Sequence, residues 1–469
     1  MQYARPRLCT SAYAFTGLGT SIASAVSDQY VAYSLVVALY NITLHPLAKY
    51  PGPKLYAAFE FPHYWEIYSG NQPSFARKLH DKYGEVVRYG PSSLSFNTSQ
   101  SIRDVYGTQK GKKMLRKDRR FYDDNFDEAA TLLIANDTDH QRQRRIISHA
   151  FSDQALREQE VFIHHYCDML TSRLHDQIAG PKKGKVDMVR WLNFTTFDII
   201  GDLAFDEPFQ ALERGEYHFW MSTIFENMKA QVFFRTAKAY PLFHTILMSL
   251  VNRIPAMAKT IKRLRKDTKD KTLRRISAKT DRKDFMSHFL RHNDEKGIST
   301  EEIIANAGLF IVAGSETSAT LLSGMVFYLL KNPVYLCKLK DEILSSFRST
   351  EDMTFANEVK LPYLQACIEE AFRVYPPVPE ELLRLTPPEG AIINGELIPG
   401  NTSVGVSQFG TFHSAKNFKD PDSYRPERWL GDPTYADDDL SAVQPFSVGN
   451  RNCIGKASTP SDVPRHVSR

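Results

Sequence analysis

The chain has 469 residues with a net charge of +5, 42% hydrophobic and 24% charged. So diffuse a positive balance excludes nucleic-acid binding built on overall charge, while the apolar share is enough for a sizeable core. The five cysteines, Cys9, Cys167, Cys337, Cys367 and Cys453, are scattered without a CxxC pair, which excludes a disulfide framework and a structural zinc site and fits a reducing compartment.

Residues 1–50 differ in composition from the rest. Ser11 to Val26 is small and weakly apolar, and Tyr30 to Tyr40 is a stronger apolar run. Together they approach the roughly 20 residues that a spanning helix needs. An amphipathic helix lying on the membrane surface is the other reading. The proline-stiffened tether His45–Lys54 follows, and its lysines favour a globular part on the cytoplasmic side.

Residues 84–96 predict two short strands around a Gly90-Pro91 turn. Asp139 to Phe151 predicts a basic helix with an apolar face at Ile146, Ile147, Ala150 and Phe151. On it His140 and Arg144 stand four apart, within reach of one anionic group, and Arg142 and Arg145 belong to a solvated face. Helical patterns broken by Pro and Gly fill 153–270, and the basic run Lys259–Lys283 predicts an exposed helix and loop.

Ser299-Thr300-Glu301-Glu302 has the form of a capping box and opens a long apolar helix to Leu330. Within it, Ala313-Gly314-Ser315-Glu316-Thr317-Ser318 places an acid and several hydroxyls in core helix, which is costly without a purpose. Gly314 is expected to admit a ligand close to the backbone, and Thr317 to bond back to the carbonyl of Ala313. Glu316, beside it, is a candidate proton relay. Further on, Glu370 and Arg373 share one helix face, and the helix ends at Val374-Tyr-Pro376-Pro377. Arg428 is a candidate third member of that pair. Near the end, Phe446-Ser-Val-Gly449-Asn-Arg451-Asn-Cys453-Ile-Gly455 frames one thiol between glycines. A lone thiolate in such a loop is a strong ligand for one metal, and Arg451 offers a permanent cation to a carboxylate.

These stretches, in this order, resemble a microsomal cytochrome P450 along nearly the whole chain. The loop at Cys453 is similar to the family's haem-thiolate signature, Ala313–Ser318 to its oxygen-activation helix, Glu370–Arg373 to its ExxR pair and Pro426–Trp429 to its PERF segment. "LHPLAKYPGPKL", "RQRRIISHAFSDQALREQE" and "FIVAGSETSATLLSG" look more narrowly like fungal secondary-metabolism members of the isotrichodermin hydroxylase type.

The resemblance implies a mainly α fold with small β-sheets, in which 51–455 is the catalytic domain and 1–50 the anchor and tether. It implies haem b, with Cys453 as axial ligand of the iron and Arg451, Arg384, Arg144 and His140 holding the propionates. Phe446, Gly449 and Gly455 would shape the haem loop. Thr317 and Glu316 would steer protons to bound dioxygen, and Glu370, Arg373 and Arg428 would form a structural network beneath the haem. Phe310, Leu309, Ala313 and the Val378–Leu383 stretch would wall the pocket of an apolar substrate. The implied partner is an NADPH-cytochrome P450 reductase at the endoplasmic reticulum membrane, since no GxGxxG fingerprint is present; no nucleic-acid partner is expected. Asn450 stands where the family usually has proline. The polar tail 456–469, with Pro460 and Pro464, departs from the family's apolar helix and later strands, so a truncated product is expected, with a non-catalytic remnant as the alternative reading.

Overall fold

The computed structural model describes residues 28–458, apart from 109–113, 123–128, 181–183, 239, 241–243, 246–247, 250–254, 279 and 294–296. The Ser11–Val26 stretch and the tail from residue 459 lie outside the described residues.

The first helix, α1, covers residues 28–43. It turns Tyr30, Leu35, Val36 and Leu39 outward, each more than 60% exposed, and docks through Ala38 and Asn41. Asn41 Nδ2 donates to the Ala58 carbonyl at 3.1 Å, and Arg88 Nη1 donates to the Asn41 carbonyl at 2.7 Å.

Helices α2 (Gln72–Tyr83) and α3 (Ser99–Tyr106) flank the first strands, β1 (Val86–Gly90) and β2 (Ser93–Phe96). The strands are antiparallel around Gly90-Pro91. Three later or short strands complete the sheet: β3 (Arg116–Lys117), β4 (Arg384–Leu385) and β7 (Ser403–Val406). The order is β1-β2-β7-β4-β3, with β2 and β7 parallel and Lys117 opposite Arg384. A separate hairpin pairs β5 (Ala391–Ile393) with β6 (Glu396–Ile398). The sheet thus gathers segments from both ends of the chain, and Leu94, Phe96, Val404 and Val406 fill its core.

The helical part is α4 (Asp137–Ile147), α5 (Asp153–Ala179), α6 (Met188–Phe205), α7 (Phe219–Lys238), α8 (Pro255–Ser277), α9 (Phe285–His292), α10 (Thr300–Lys331), α11 (Pro333–Ser346), α12 (Pro362–Val374) and α13 (Gln408–Phe412). Side-chain caps start many of them: Asn136 accepts from the Asp139 N–H, and Ser299 and Glu302 form a reciprocal capping box at the head of α10. Proline in the first turn starts α11 and α12, where a missing N–H costs nothing.

The long helix α10 runs along α6 through the largest apolar cluster. It is apolar and long enough to cross a membrane, yet it is the axis of the core. Gly324 lets it meet the end of α12: a Cβ there would lie 2.4 Å from the Tyr375 ring.

Two expectations about basic residues change. Arg142 is no free surface cation, for it pairs with Glu302 at 2.6 Å and Asp139 at 3.0 Å, tying α4 to the start of α10. The basic run on α8 is partly interior. Arg275 is buried against Asp284, the cap of α9, at 2.7 Å, and Arg282 bridges Asp202 and Asp206 at 2.6 and 2.8 Å. Each of these cations sits opposite a carboxylate from another element, which repetition of charge along the sequence cannot show.

Candidate active site

The loop 446–455 is held from three sides. Phe446 packs on Phe372 of α12, ring centroids 5.1 Å apart. Gly449, at φ +79°, presses on the end of α3, where a Cβ would come 2.2 Å from the Tyr106 carbonyl oxygen. Only glycine meets both conditions. This glycine therefore lets the loop close on the backbone at the end of α3. Arg144 of α4 donates to the carbonyl and to Oδ1 of Asn452, at 2.7 and 2.6 Å, and so fastens the residue before the cysteine. With these contacts the Arg144 guanidinium braces the loop.

Within the loop the Cys453 N–H donates to the Phe446 carbonyl at 2.9 Å. Its thiol is accessible and is met by the backbone N–H groups of Gly455 and Lys456. Burial pushes the thiol pKa up, while those N–H groups and Arg144 oppose it. Such a thiol is prepared for a thiolate but needs a bound cation to become one at neutral pH. Gly455 has no tight neighbour: a Cβ there would lie 3.8 Å from Cys453 Sγ, ordinary contact.

A cluster of cations lies beside the loop. Arg451 Nη2 donates to the Ala135 carbonyl at 2.9 Å and to Asp137 Oδ1 at 2.6 Å, while its Nη1 is buried without a partner among the described residues. Arg384 is buried over the Tyr106 ring, with only long contacts to Tyr122 Oη (3.5 Å) and the Leu383 carbonyl (3.3 Å). Lys117, across the β3–β4 ladder from Arg384, escaped the sequence reading. Burial, Arg384 and Arg451 lower its pKa to about 6. Its Nζ is bonded to the Leu133 carbonyl. His140 is buried beside the same group, and burial, Arg451, Arg144 and Lys117 push it down to about 3. It is a neutral imidazole here, not a further cation. Asp137 is the carboxylate that acts on both Lys117 and His140. Two guanidiniums beside one another, one with a nitrogen that has no partner among the described residues, fit a ligand that brings anionic groups.

On α10, Thr317 Oγ1 donates to the Ala313 carbonyl at 2.7 Å, and Ala313 is exposed. Glu316 Oε2 is buried without a partner among the described residues, and burial raises the acid's pKa. Gly314 serves another end than expected: a Cβ there would come 2.8 Å from Ile200 Cδ1, so it seats α10 on α6. Phe310, expected as a pocket wall, is buried one turn before Gly314 on α10. It sits among Phe151, Phe285 and Phe289, centroids 5.9 to 6.3 Å away, because α9 and the turn after α4 cover α10 at that level. Leu309 is half-buried against the same cluster, and Val378 is 36% exposed.

Beneath, Glu370 and Arg373 are fully buried and paired two-fold, at 2.7 and 2.9 Å. Arg373 also donates to the carbonyls of Phe412, Pro421 and Ser423. Arg428 Nε reaches Glu370 at 3.1 Å and its other end pairs with Asp438. Trp429 Nε1 and the Arg425 N–H complete the shell of Glu370, at 2.9 and 2.8 Å.

Among the described residues no group of three or more His, Cys, Asp or Glu side chains is placed to hold a metal ion. A single thiol beside a cationic cluster instead fits a metal carried by an anionic prosthetic group, as haem is.

A sequence model of the family described as "Cytochrome P450" matches residues 50–457. The chain is 40% identical to cytochrome P450 monooxygenase efuB of Hormonema carpetanum, over 94% of this chain and 88% of that one. It is also 40% identical to the monooxygenases astJ of Aspergillus oryzae, over 91% and 85% of the two chains, and lcsI of Purpureocillium lilacinum, over 91% and 83%. A matched family model over most of the chain, relatives matched over most of their length, and a lone thiol framed by glycine and arginine agree: this chain belongs to the cytochrome P450 family of monooxygenases.

Proposed function

We propose that this monooxygenase inserts one oxygen atom from dioxygen into an apolar secondary metabolite, with electrons passed from NADPH by a separate flavoprotein reductase. The observation that carries this reading is the Cys453 thiol, framed by the N–H groups of Gly455 and Lys456 and set beside Arg451, Arg384 and Lys117. The relatives named above, monooxygenases from fungi, support the metabolite class.

In this reading the Cys453 thiolate would bind the haem iron, and Arg451 with Arg384 would hold the propionates. The bound haem supplies dioxygen binding and activation, tuned by the thiolate. Thr317 and Glu316 handle protons. The Thr317 hydroxyl is committed to Ala313 at rest, leaving its oxygen free to accept from a neighbouring donor. Glu316, raised by burial and without a partner at Oε2 among the described residues, holds a proton more readily than a solvated acid. The Glu370–Arg373–Arg428 network keeps α12 and the segment around Arg428 in place and takes no part in the chemistry. The outward apolar face of α1, followed by Lys49 and Lys54, supports anchoring at the endoplasmic reticulum with the catalytic part on the cytoplasmic side.

The test is turnover with reductase and NADPH, comparing wild type with Thr317→Ala. Oxygen and NADPH consumption should persist in the variant while the share appearing in product falls roughly 100-fold, the lower end of what a positioned proton donor contributes. Unchanged coupling would remove Thr317 from the proposed role.

A further inference from the structure

The stretch Val378–Leu383 joins α12 to β4, and the chemistry above makes no use of the acid within it. Glu381 is 4% exposed. Its Oε1 is bonded to Ser95 Oγ on β2. Ser95 Oγ lies 2.8 Å from His80 Nε2, on α2, and His80 Nδ1 lies 2.9 Å from the Gly84 carbonyl oxygen.

Counting hydrogens along this chain leaves two states with the same number of protons. A carbonyl only accepts, so Nδ1 of His80 carries a hydrogen. If the imidazole is neutral, Nε2 must take the one hydroxyl proton of Ser95. Ser95 Oγ can then only accept from Glu381, which must be a carboxylic acid. If Glu381 is ionised, it takes the Ser95 proton, and His80 must be a cation donating from Nε2. With one proton fewer, one of the two contacts joins two acceptors.

The surroundings choose between them. Tyr89 of β1 and Tyr106 of α3 face Glu381, and the charged neighbour on its own stretch is Glu380, a like charge; Glu60 and Asp118 lie beyond Tyr89. Besides Ser95, the Tyr89 hydroxyl is the hydrogen-bonding group set against this carboxyl among the described residues. Gly405 of β7 closes the slot, for a Cβ there would be 2.8 Å from Glu381 Cβ and 2.9 Å from Oε2. A charge on this carboxyl would be buried against two hydroxyls and a like charge, with no cation facing it among the described residues. Burial pushes Glu381 up to about 7 and His80 down to about 4, both toward the neutral pair.

We propose that Glu381 is a neutral carboxylic acid which donates through Ser95 to neutral His80, and that this one-proton chain fastens the Val378–Leu383 wall to β2 and α2. The role of that wall rests on the proposed function, in which Val378–Leu383 borders the substrate. Glu381 is thus a positioning residue: raising the pH removes its proton, breaks the donor sequence and loosens the wall.

Infrared difference spectra of the haem-loaded protein, wild type against Glu381→Gln, should show at neutral pH the carbonyl stretch of a protonated carboxylic acid that only the wild type has. Nitrogen NMR of His80 should show a neutral ring with the hydrogen on Nδ1. No acid band assignable to Glu381, or an imidazolium at His80, would overturn the chain. The wall is tested separately, by titrating an apolar ligand and following the haem absorption. Affinity should fall as pH rises through 7 in wild type and stay level in Glu381→Gln. The same pH profile in both, with the acid band present, would contradict the positioning role and leave the proton assignment standing. If Glu381→Gln does not fold, Ser95→Ala serves: it should move both the Glu381 band and the His80 signals, and no change in either would overturn the linkage.

Discussion

Burial acts on Glu381 and His80 in opposite directions, and the consequence is a stability profile with a definite sign. The Glu381 pKa rises from an ordinary 4.5 to about 7, so between those values the folded chain holds a proton that the unfolded chain has lost. Stability from this group is therefore lost as pH rises from 4.5 to 7. His80 falls from 6.5 to about 4, so its unfolded form binds the extra proton, and stability rises with pH from 4 to 6.5. The two slopes oppose each other through most of this window. Glu381→Gln removes only the falling one. Urea melts at several pH values should show the variant gaining stability relative to wild type as pH rises from 4.5 to 7; a constant difference would mean that Glu381 ionises normally. Other single residues show how local chemistry was readable. Thr317 bonds back to Ala313 because a threonine inside a helix has that carbonyl within reach. Lys117 and Glu381 were not readable, because the groups that perturb or bond them come from distant parts of the chain.

Elements repeat this division. The start of α10 follows from Ser299 and Glu302 alone, since a capping box is complete within four residues. The end of α12 follows from the prolines after Tyr375. What α10 touches does not follow: glycine at 314 has the same identity whether it faces a ligand or Ile200, and the face is fixed only when α6 packs. The three-residue spacing of Glu370 and Arg373 was likewise visible, but the carbonyls of Phe412, Pro421 and Ser423 around Arg373 were not. Those contacts decide the energetics. Both partners are fully buried, so Arg373→Ala takes from Glu370 its two-fold partner, leaving it Arg428 alone as a cation, and leaves three carbonyls without their donor. The expected cost is about 3–5 kcal/mol, measured by denaturant unfolding. A loss below about 1 kcal/mol, as at an exposed pair, would show that the network is not structural.

Across the whole molecule, the ordered series of short motifs made the family legible, because each is compact in sequence and their order survives in the fold. The sheet was only partly legible. The β1–β2 hairpin is local, whereas β3, β4 and β7 are short, come from three separate regions, and find each other only in the folded chain. That assembly places Lys117 opposite Arg384 and carries Arg384 to the cationic cluster. The loop at Cys453 gains its shape in the same way, from α3, α4 and α12 together. The central claim is that this assembled loop presents a thiolate to haem iron. The most direct measurement is the absorption spectrum of the purified, reduced protein under carbon monoxide, for wild type and Cys453→Ala. The claim predicts the red-shifted Soret band of thiolate-ligated haem in wild type and its loss in the variant. A wild type without that band, or a variant that keeps it, would contradict the assignment.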